Sequence, residues 1–268
     1  MKMIVSEVIA NDEIKSGFFN LLLKLSDNKL SDNLKPIPGQ FVNLYFDTDM
    51  PLPRPISVCD FEDGVLRLVY QIVGKGTNLL SMKKPGEPLR LTYFLGNGFD
   101  ITRAHGKILI VGGGIGVAPL FFLAKMMAGN NLEITVALGF ASSGKIILAG
   151  EFEKLCNTYI ATDDGSFGYK GNILDFIRSK NHFTDCHFIF ACGPRPMLRA
   201  LAESTSNSSY FKKPSSVQLS MEEHIACGIG ACLCCPVAAN ENGNIIYRRV
   251  CADGPVFQAD SLIWGGAS

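Results

Sequence analysis

Neither sign of charge predominates in this chain: 25 Lys and Arg balance 25 Asp and Glu over 268 residues. Without a net field there is no general attraction for nucleic acid or an acidic membrane, so neither is expected as a partner. The longest apolar stretch free of charge, residues 108–124, is broken by Gly112, Gly113, Gly114, Gly116 and Pro119. It reads as a strand, a turn and a helix, not as a membrane span. Histidine is scarce, with four in all; His105, His182, His187 and His224 show no metal-pair spacing, so surface or core roles are expected for each. The run Met1-Lys2-Met3-Ile4-Val5-Ser6-Glu7 alternates like a strand and has no apolar signal-peptide core, so no export is expected and the chain is placed in the cytoplasm. No repeat or low-complexity tract is visible, and the tail 265–268 reads as a frayed end.

Cysteine, by contrast, is concentrated. Cys227, Cys232, Cys235 and Cys251 form C-x4-C-x2-C followed by a fourth Cys, the spacing of plant-type [2Fe-2S] ligation. Gly228 and Gly230 let such a loop bend so that backbone N–H groups face the sulfurs. A structural zinc site favours paired C-x2-C units, and here only Cys232 and Cys235 make one. A disulfide framework is disfavoured by a chain long enough for a proper core. Cys234 reads as a bystander, and Cys59, Cys156 and Cys186 as buried small hydrophobes. A Rieske arrangement would need two His near the loop, where only His224 stands.

Two further patterns divide the rest. Residues 1–102 carry short β-segments between Pro and Gly turns, as in 18–23, 40–45, 66–70 and 88–91, which predicts a small antiparallel barrel. Residues 103–211 alternate buried strands (107–111, 133–137, 158–161, 187–190) with helical stretches, which predicts a doubly wound parallel sheet. The polar stretch 204–209 and Lys212-Lys213-Pro214 read as a linker to a small cysteine domain, 212–268. The expected class is therefore α/β plus β, with three domains.

Candidate sites fall at the turns. In Arg54-Pro55-Ile56-Ser57 the Arg suits a pyrophosphate, Pro55 stiffens the turn, and the Ser57 hydroxyl suits a heteroatom of a flavin ring. A strand from Tyr70 and Gln71 runs into Gly74-Lys75-Gly76-Thr77 and a helical run, either a phosphate cradle or an ordinary turn. Gly112, Gly113, Gly114 and Gly116 follow a buried strand and open a helix, the context for a dinucleotide diphosphate, although Val117 stands where a strict fingerprint has its third glycine. No acid ends the second strand unless it is Glu133. Asp163, with Asp164, and Cys192-Gly193-Pro194 end later strands, so both turns are expected to line one crevice, with a plain turn as the alternative for the aspartates. The stretch 139–145 has no Arg for a 2′-phosphate, which favours NAD over NADP, with Lys145 the reservation.

In their order, these motifs resemble the ferredoxin-NADP reductase superfamily over residues up to about 211, and the cysteine segment, from Ala226-Cys227 to Cys251-Ala252-Asp253-Gly254, resembles the electron transfer subunits of NAD-dependent dihydroorotate dehydrogenases. The resemblance implies FAD on the barrel, NAD on the α/β domain and a [2Fe-2S] cluster facing an FMN-containing catalytic subunit, with two copies of each chain, in pyrimidine biosynthesis. It implies that Arg54, Gly76 and Thr77 hold FAD phosphates, that Ser57 approaches the flavin, that Val69, Tyr70 and Gln71 lie along it, and that Cys192 stands beside hydride transfer. A flavin belongs between nicotinamide and cluster because it alone exchanges both hydride and single electrons. Three other readings remain at this point. A ferredoxin-dependent NAD(P) oxidoreductase or sulfide dehydrogenase subunit resembles a pattern with Asp where Cys227 stands. An oxygenase reductase has a longer gap between the third and fourth Cys. A non-enzymatic redox sensor would not need the nucleotide motifs.

Overall fold

The computed structural model describes residues 3–25, 35–46, 51–180, 183–206 and 210–265. His182, residues 207–209 of the polar stretch and residues 266–268 of the tail lie outside the described residues. Six strands, β1 (Met3–Lys15), β2 (Phe18–Leu25), β3 (Phe41–Tyr45), β4 (Arg54–Glu62), β5 (Val65–Gln71) and β6 (Pro88–Thr92), close a barrel in the order β1-β2-β5-β4-β3-β6. All neighbouring pairs are antiparallel. Alternation drives this closure: Ile4, Ser6 and Val8 point inward while Met3 and Val5 face out. Leu21, Leu23, Leu44, Val58, Leu66, Leu68 and Leu91 fill the interior, and α1 (Lys75–Ser81) packs Leu80 against them.

The second sheet begins with β7 (Lys107–Gly113), β8 (Glu133–Phe140), β9 (Asn157–Thr162), β10 (Tyr169–Lys170), β11 (Phe188–Cys192) and β12 (Ser216–Ser220). A hairpin of β13 (Pro236–Glu241) and β14 (Asn244–Arg249) follows, and β15 (Val256–Gln258) returns to the sheet. Its order is β10-β9-β8-β7-β11-β12-β15, parallel except at β15. Ile108, Ile110, Val136 and Phe190 pack on one face with α2 (Val117–Met127) and α3 (Ala149–Glu153). Leu109, Val111, Ala137 and Ile189 pack on the other with α4 (Ile173–Arg178) and α5 (Arg195–Ser206). Both faces are covered, which is the doubly wound arrangement, and its switch point lies between β7 and β11, where such sheets bind ligands.

Several expectations change. The polar stretch does not begin as a linker: α5 runs to Ser206 and buries Thr205. The boundary at 211/212 does not separate sheets, because β12 pairs with β11 and β15 with β12. Cys235, Val250 and Cys251 share one core with Leu109 and Ile189. The helix after the glycine turn starts at Val117, with Pro119 in its first turn, where a missing N–H breaks no bond. Among the described residues, no helix is long and apolar enough to cross a membrane.

Candidate active site and cysteine centre

A cavity of about 410 Å³ opens between the barrel and the second sheet. Arg54, Pro55, Ile56 and Ser57 at the start of β4 and Val69, Tyr70 and Gln71 at the end of β5 form its barrel wall, with Thr77 beside them. Antiparallel pairing of β4 with β5 places the start of one next to the end of the other. Ile115, Ala118, Pro119 and Cys192 form the facing wall, and Ser220, Met221, Glu222, Glu223 and Ile225 close the end. The walls are held by apolar packing: Cys59 and Val69 of the barrel share a core with Val117, Leu120 and Phe121 of α2. Arg67 also makes a two-pronged pair with Glu151 at 2.6 and 2.9 Å, and Lys125 reaches Asp60 at 2.7 Å. Partly exposed pairs of this kind contribute only about 0.2–1 kcal/mol each, so the apolar core does more than they do to hold the walls together.

Burial pushes the Cys192 thiol far above its ordinary range, the Glu222 charge adds to this, and a hydrogen bond with Ser220 opposes it. Cys192 is therefore a neutral thiol, unsuited to nucleophilic attack. The Tyr70 hydroxyl donates to Asn11 Oδ1 at 3.0 Å.

The turn before α1 is tied to the same wall. Thr77 Oγ1 accepts the Val73 N–H at 2.9 Å and the Gly74 N–H at 3.2 Å, which closes the turn. Gly76 does not line the cavity, yet a Cβ there would stand 2.0 Å from Arg54 Nε. Its glycine lets the guanidinium cross the turn.

The glycine turn after β7 divides its tasks. Gly113, Gly114, Asp163 and Pro194 line a second cavity of about 520 Å³, together with Phe140, Asn172 and Arg178. Gly112, Gly116 and Gly193 line neither cavity. A Cβ on Gly116 would lie 2.7 Å from the Cys192 carbonyl carbon, so this glycine lets the two strand-end turns touch. The two strand-end turns meet in this second cavity through Asp163 and Pro194, as expected, while the Cys192 side chain faces the first. Asp164, not Asp163, closes its turn, accepting the Ser166 N–H at 2.9 Å and hydroxyl at 2.6 Å. Lys145 lies over the Phe18 ring, 5.4 Å from its centre, instead of in the second cavity. Glu222, Glu223, Asn172 and Arg178 belong to no motif and escaped the sequence reading; only their place in the fold reveals them.

In the cysteine loop, Cys235 and Cys251 are buried, Cys227 is half-buried, and Cys232 and Cys234 are exposed. Gly228 and Gly230 have φ of +73° and +79°, conformations that favour glycine. They turn the Ile229 N–H towards Cys227 Sγ at 3.5 Å and the Gly230 N–H towards Cys251 Sγ at 3.2 Å. Burial raises the Cys227 thiol, but the amides of Ile229, Cys232 and Ala231 outweigh it and bring the thiol down to about 6. Burial, reinforced by a hydrogen bond with Cys235, pushes Cys251 up to about 12. Arg249 braces the loop, donating to the Gly230 carbonyl at 3.2 Å while paired with Asp253, whose carboxyl it holds down at about 2. Converging thiols and inward amides suit the negative charge of an iron-sulfur cluster. Among the described residues no three His, Cys, Asp or Glu side chains already stand at metal-binding distances.

Barrel, doubly wound sheet and cleft at the switch point define a two-domain flavin–nicotinamide reductase with an added thiol centre. The whole chain superposes on the structure of an NADH-dependent reduced ferredoxin-NADP oxidoreductase with a TM-score of 0.80 and 27% identity, covering 97% of this chain and 90% of that one. Residues 222–263 match the family model for the iron-sulfur cluster binding domain of dihydroorotate dehydrogenase B. The electron transfer subunit of dihydroorotate dehydrogenase B (NAD+) from Geobacillus thermodenitrificans is 41% identical over 232 residues, 84% of this chain and 86% of the relative. The corresponding subunit from Caldanaerobacter subterraneus subsp. tengcongensis is 38% identical over 259 residues, covering 97% and 98%. The chain belongs to the family of dihydroorotate dehydrogenase B (NAD+) electron transfer subunits. Membership makes it the electron-transfer subunit of an NAD+-linked oxidoreductase and implies FAD, a [2Fe-2S] cluster, NAD and a catalytic partner subunit.

Proposed function

We propose that this chain conducts electrons from an FMN-containing dihydroorotate dehydrogenase catalytic subunit to NAD+, in the cytoplasmic synthesis of pyrimidines, with two copies of each chain in the assembly. The observation that carries the reading is the interdomain cavity, which gathers Arg54–Ser57, Val69–Gln71, Thr77 and Cys192 around one space. FAD bound there would supply the exchange between a nicotinamide hydride and single electrons. Arg54 would hold its phosphates, with the Gly76-Thr77 turn behind the guanidinium. Ser57 would face the ring, and Val69, Tyr70 and Gln71 would line its edge. Cys192, buried and neutral, would close the opposite face as a small apolar group that excludes water. Gly113, Gly114, Asp163 and Pro194 would receive NAD in the second cavity, with Gly112, Gly116 and Gly193 holding the turns that shape it. Cys227, Cys232, Cys235 and Cys251 would ligate the cluster. Exposed Ile229 and Leu233 beside them would meet the partner.

The units proposed are 1–102 for flavin, 103–211 for NAD and 212–268 for the cluster, the last sharing the second sheet. The likeness to the ferredoxin-NADP oxidoreductase favours one rival, a ferredoxin-linked subunit. Anaerobic purification with the natural partner separates the two. NAD+ reduction by dihydroorotate, with FAD, FMN and a [2Fe-2S] EPR signal, is the expected result. FAD and cluster present but no turnover of dihydroorotate would transfer the assignment to the ferredoxin-linked relative. Comparing NADH with NADPH tests the expected preference for NAD.

A further inference from the structure

Strand β3 lies between the flavin cavity and the cysteine loop. Phe41 lines the cavity, and pairing with β4 sets Phe41 opposite Ser57 and Asn43 opposite Pro55. Asn43 is fully buried, at 0% exposure, between the buried Val42 and Leu44. Its backbone N–H donates to Thr92 Oγ1 at 3.0 Å, and its Nδ2 donates to the Cys227 carbonyl at 3.1 Å. Its Oδ1 is buried with no hydrogen-bond partner among the described residues. Turning the amide over would set two acceptors face to face, so the donor orientation towards Cys227 is the one the chemistry permits. The loop is cut to receive this group: a Cβ on Gly228 would stand 2.3 Å from Asn43 Nδ2.

A buried amide with an unpaired oxygen is a costly filler for a barrel wall, where Val or Leu packs without penalty. On the reading of Cys227 as a cluster ligand, we infer that Asn43 is a positioning residue that pins the cluster loop to the flavin barrel through the Cys227 carbonyl. One side chain then sets how close the cluster thiols stand to the cavity, which Phe41 on the same strand and Pro55 on the next one line. Electron transfer between redox groups falls steeply with separation, so this hydrogen bond governs the rate between them. The bond is made to the peptide of a ligand and not to its sulfur, so it fixes place without altering the donor set.

The test compares the wild-type holoprotein with Asn43→Leu and Asn43→Ser, both of which remove the donor to the Cys227 carbonyl and leave the loop sequence unchanged. FAD and iron per chain, the EPR spectrum of the reduced cluster, and the rate at which NADH reduces the cluster are measured. Both variants are expected to keep FAD, to shift the EPR g values, and to slow cluster reduction by roughly tenfold, in line with loss of a buried hydrogen bond. A wild-type EPR spectrum and wild-type rates in Asn43→Leu would overturn the inference. If Asn43→Leu also loses FAD, Asn43→Ser, whose hydroxyl is too short to reach the Cys227 carbonyl, decides alone: the same shift and slowing support the role, and wild-type behaviour rejects it. Wild-type protein without an iron signal would reject the cluster reading itself, and the role of Asn43 with it.

Discussion

The interdomain cavity draws its walls from residues 54–57, 69–71, 192 and 220–225, whereas the cysteine loop takes three of its four thiols from between 227 and 235. The cavity exists because two independently closed units press Cys59 and Val69 against α2, so its shape follows from cores that are complete without a ligand. The loop buries little apolar surface of its own. Ile229 and Leu233 are exposed, and its path rests on two left-handed glycines, Arg249 and Asn43. A site made by packing tolerates loss of one contact, while a site made by ligands and turns does not. The two should therefore fail separately.

The largest effect is expected at the thiols. Cys235→Ser should abolish the cluster EPR signal while FAD per chain stays at the wild-type level. A retained signal would hand ligation to Cys234, whose exposed sulfur lies 3.6 Å from the Cys232 carbonyl. The reciprocal change is Gly76→Ala, where the new methyl carbon would overlap Arg54 Nε and displace the guanidinium. FAD affinity should fall roughly tenfold or more, the scale of a charge-assisted hydrogen bond, with the cluster spectrum unchanged. Titration of FAD into the stripped protein measures it, and unaltered affinity would remove Arg54 from the phosphate role.

Much of the fold was legible because its signals are local. Alternation at Ile4, Ser6 and Val8 and at Leu66 and Leu68 announces strands of a barrel. The charge-free run ending in glycines announces β7 and its turn. The stretch after Cys192 was harder. Its helix, α5, is polar on one face, so 204–206 looked like linker, and β12 is a short strand whose place is settled by its neighbour β11. Among site residues, Arg54, Ser57, Tyr70 and Cys192 stood in motifs, and the fold brings them to one cavity. Glu222 and Arg178 stood in none, because a single charged residue carries no periodicity and no spacing.

The spacing of Cys227, Cys232 and Cys235, the period-two pattern of the barrel and the glycine turns are written in the chain alone, since each depends on residues within a few positions of one another. Only the tertiary structure decided that Gly116 meets Cys192, that Gly76 makes way for Arg54, that Asp163 and Cys192 face different cavities, and that Asn43 holds the Cys227 carbonyl. Those contacts join residues brought together by close packing of whole sheets, and no local pattern encodes which buried surfaces will touch.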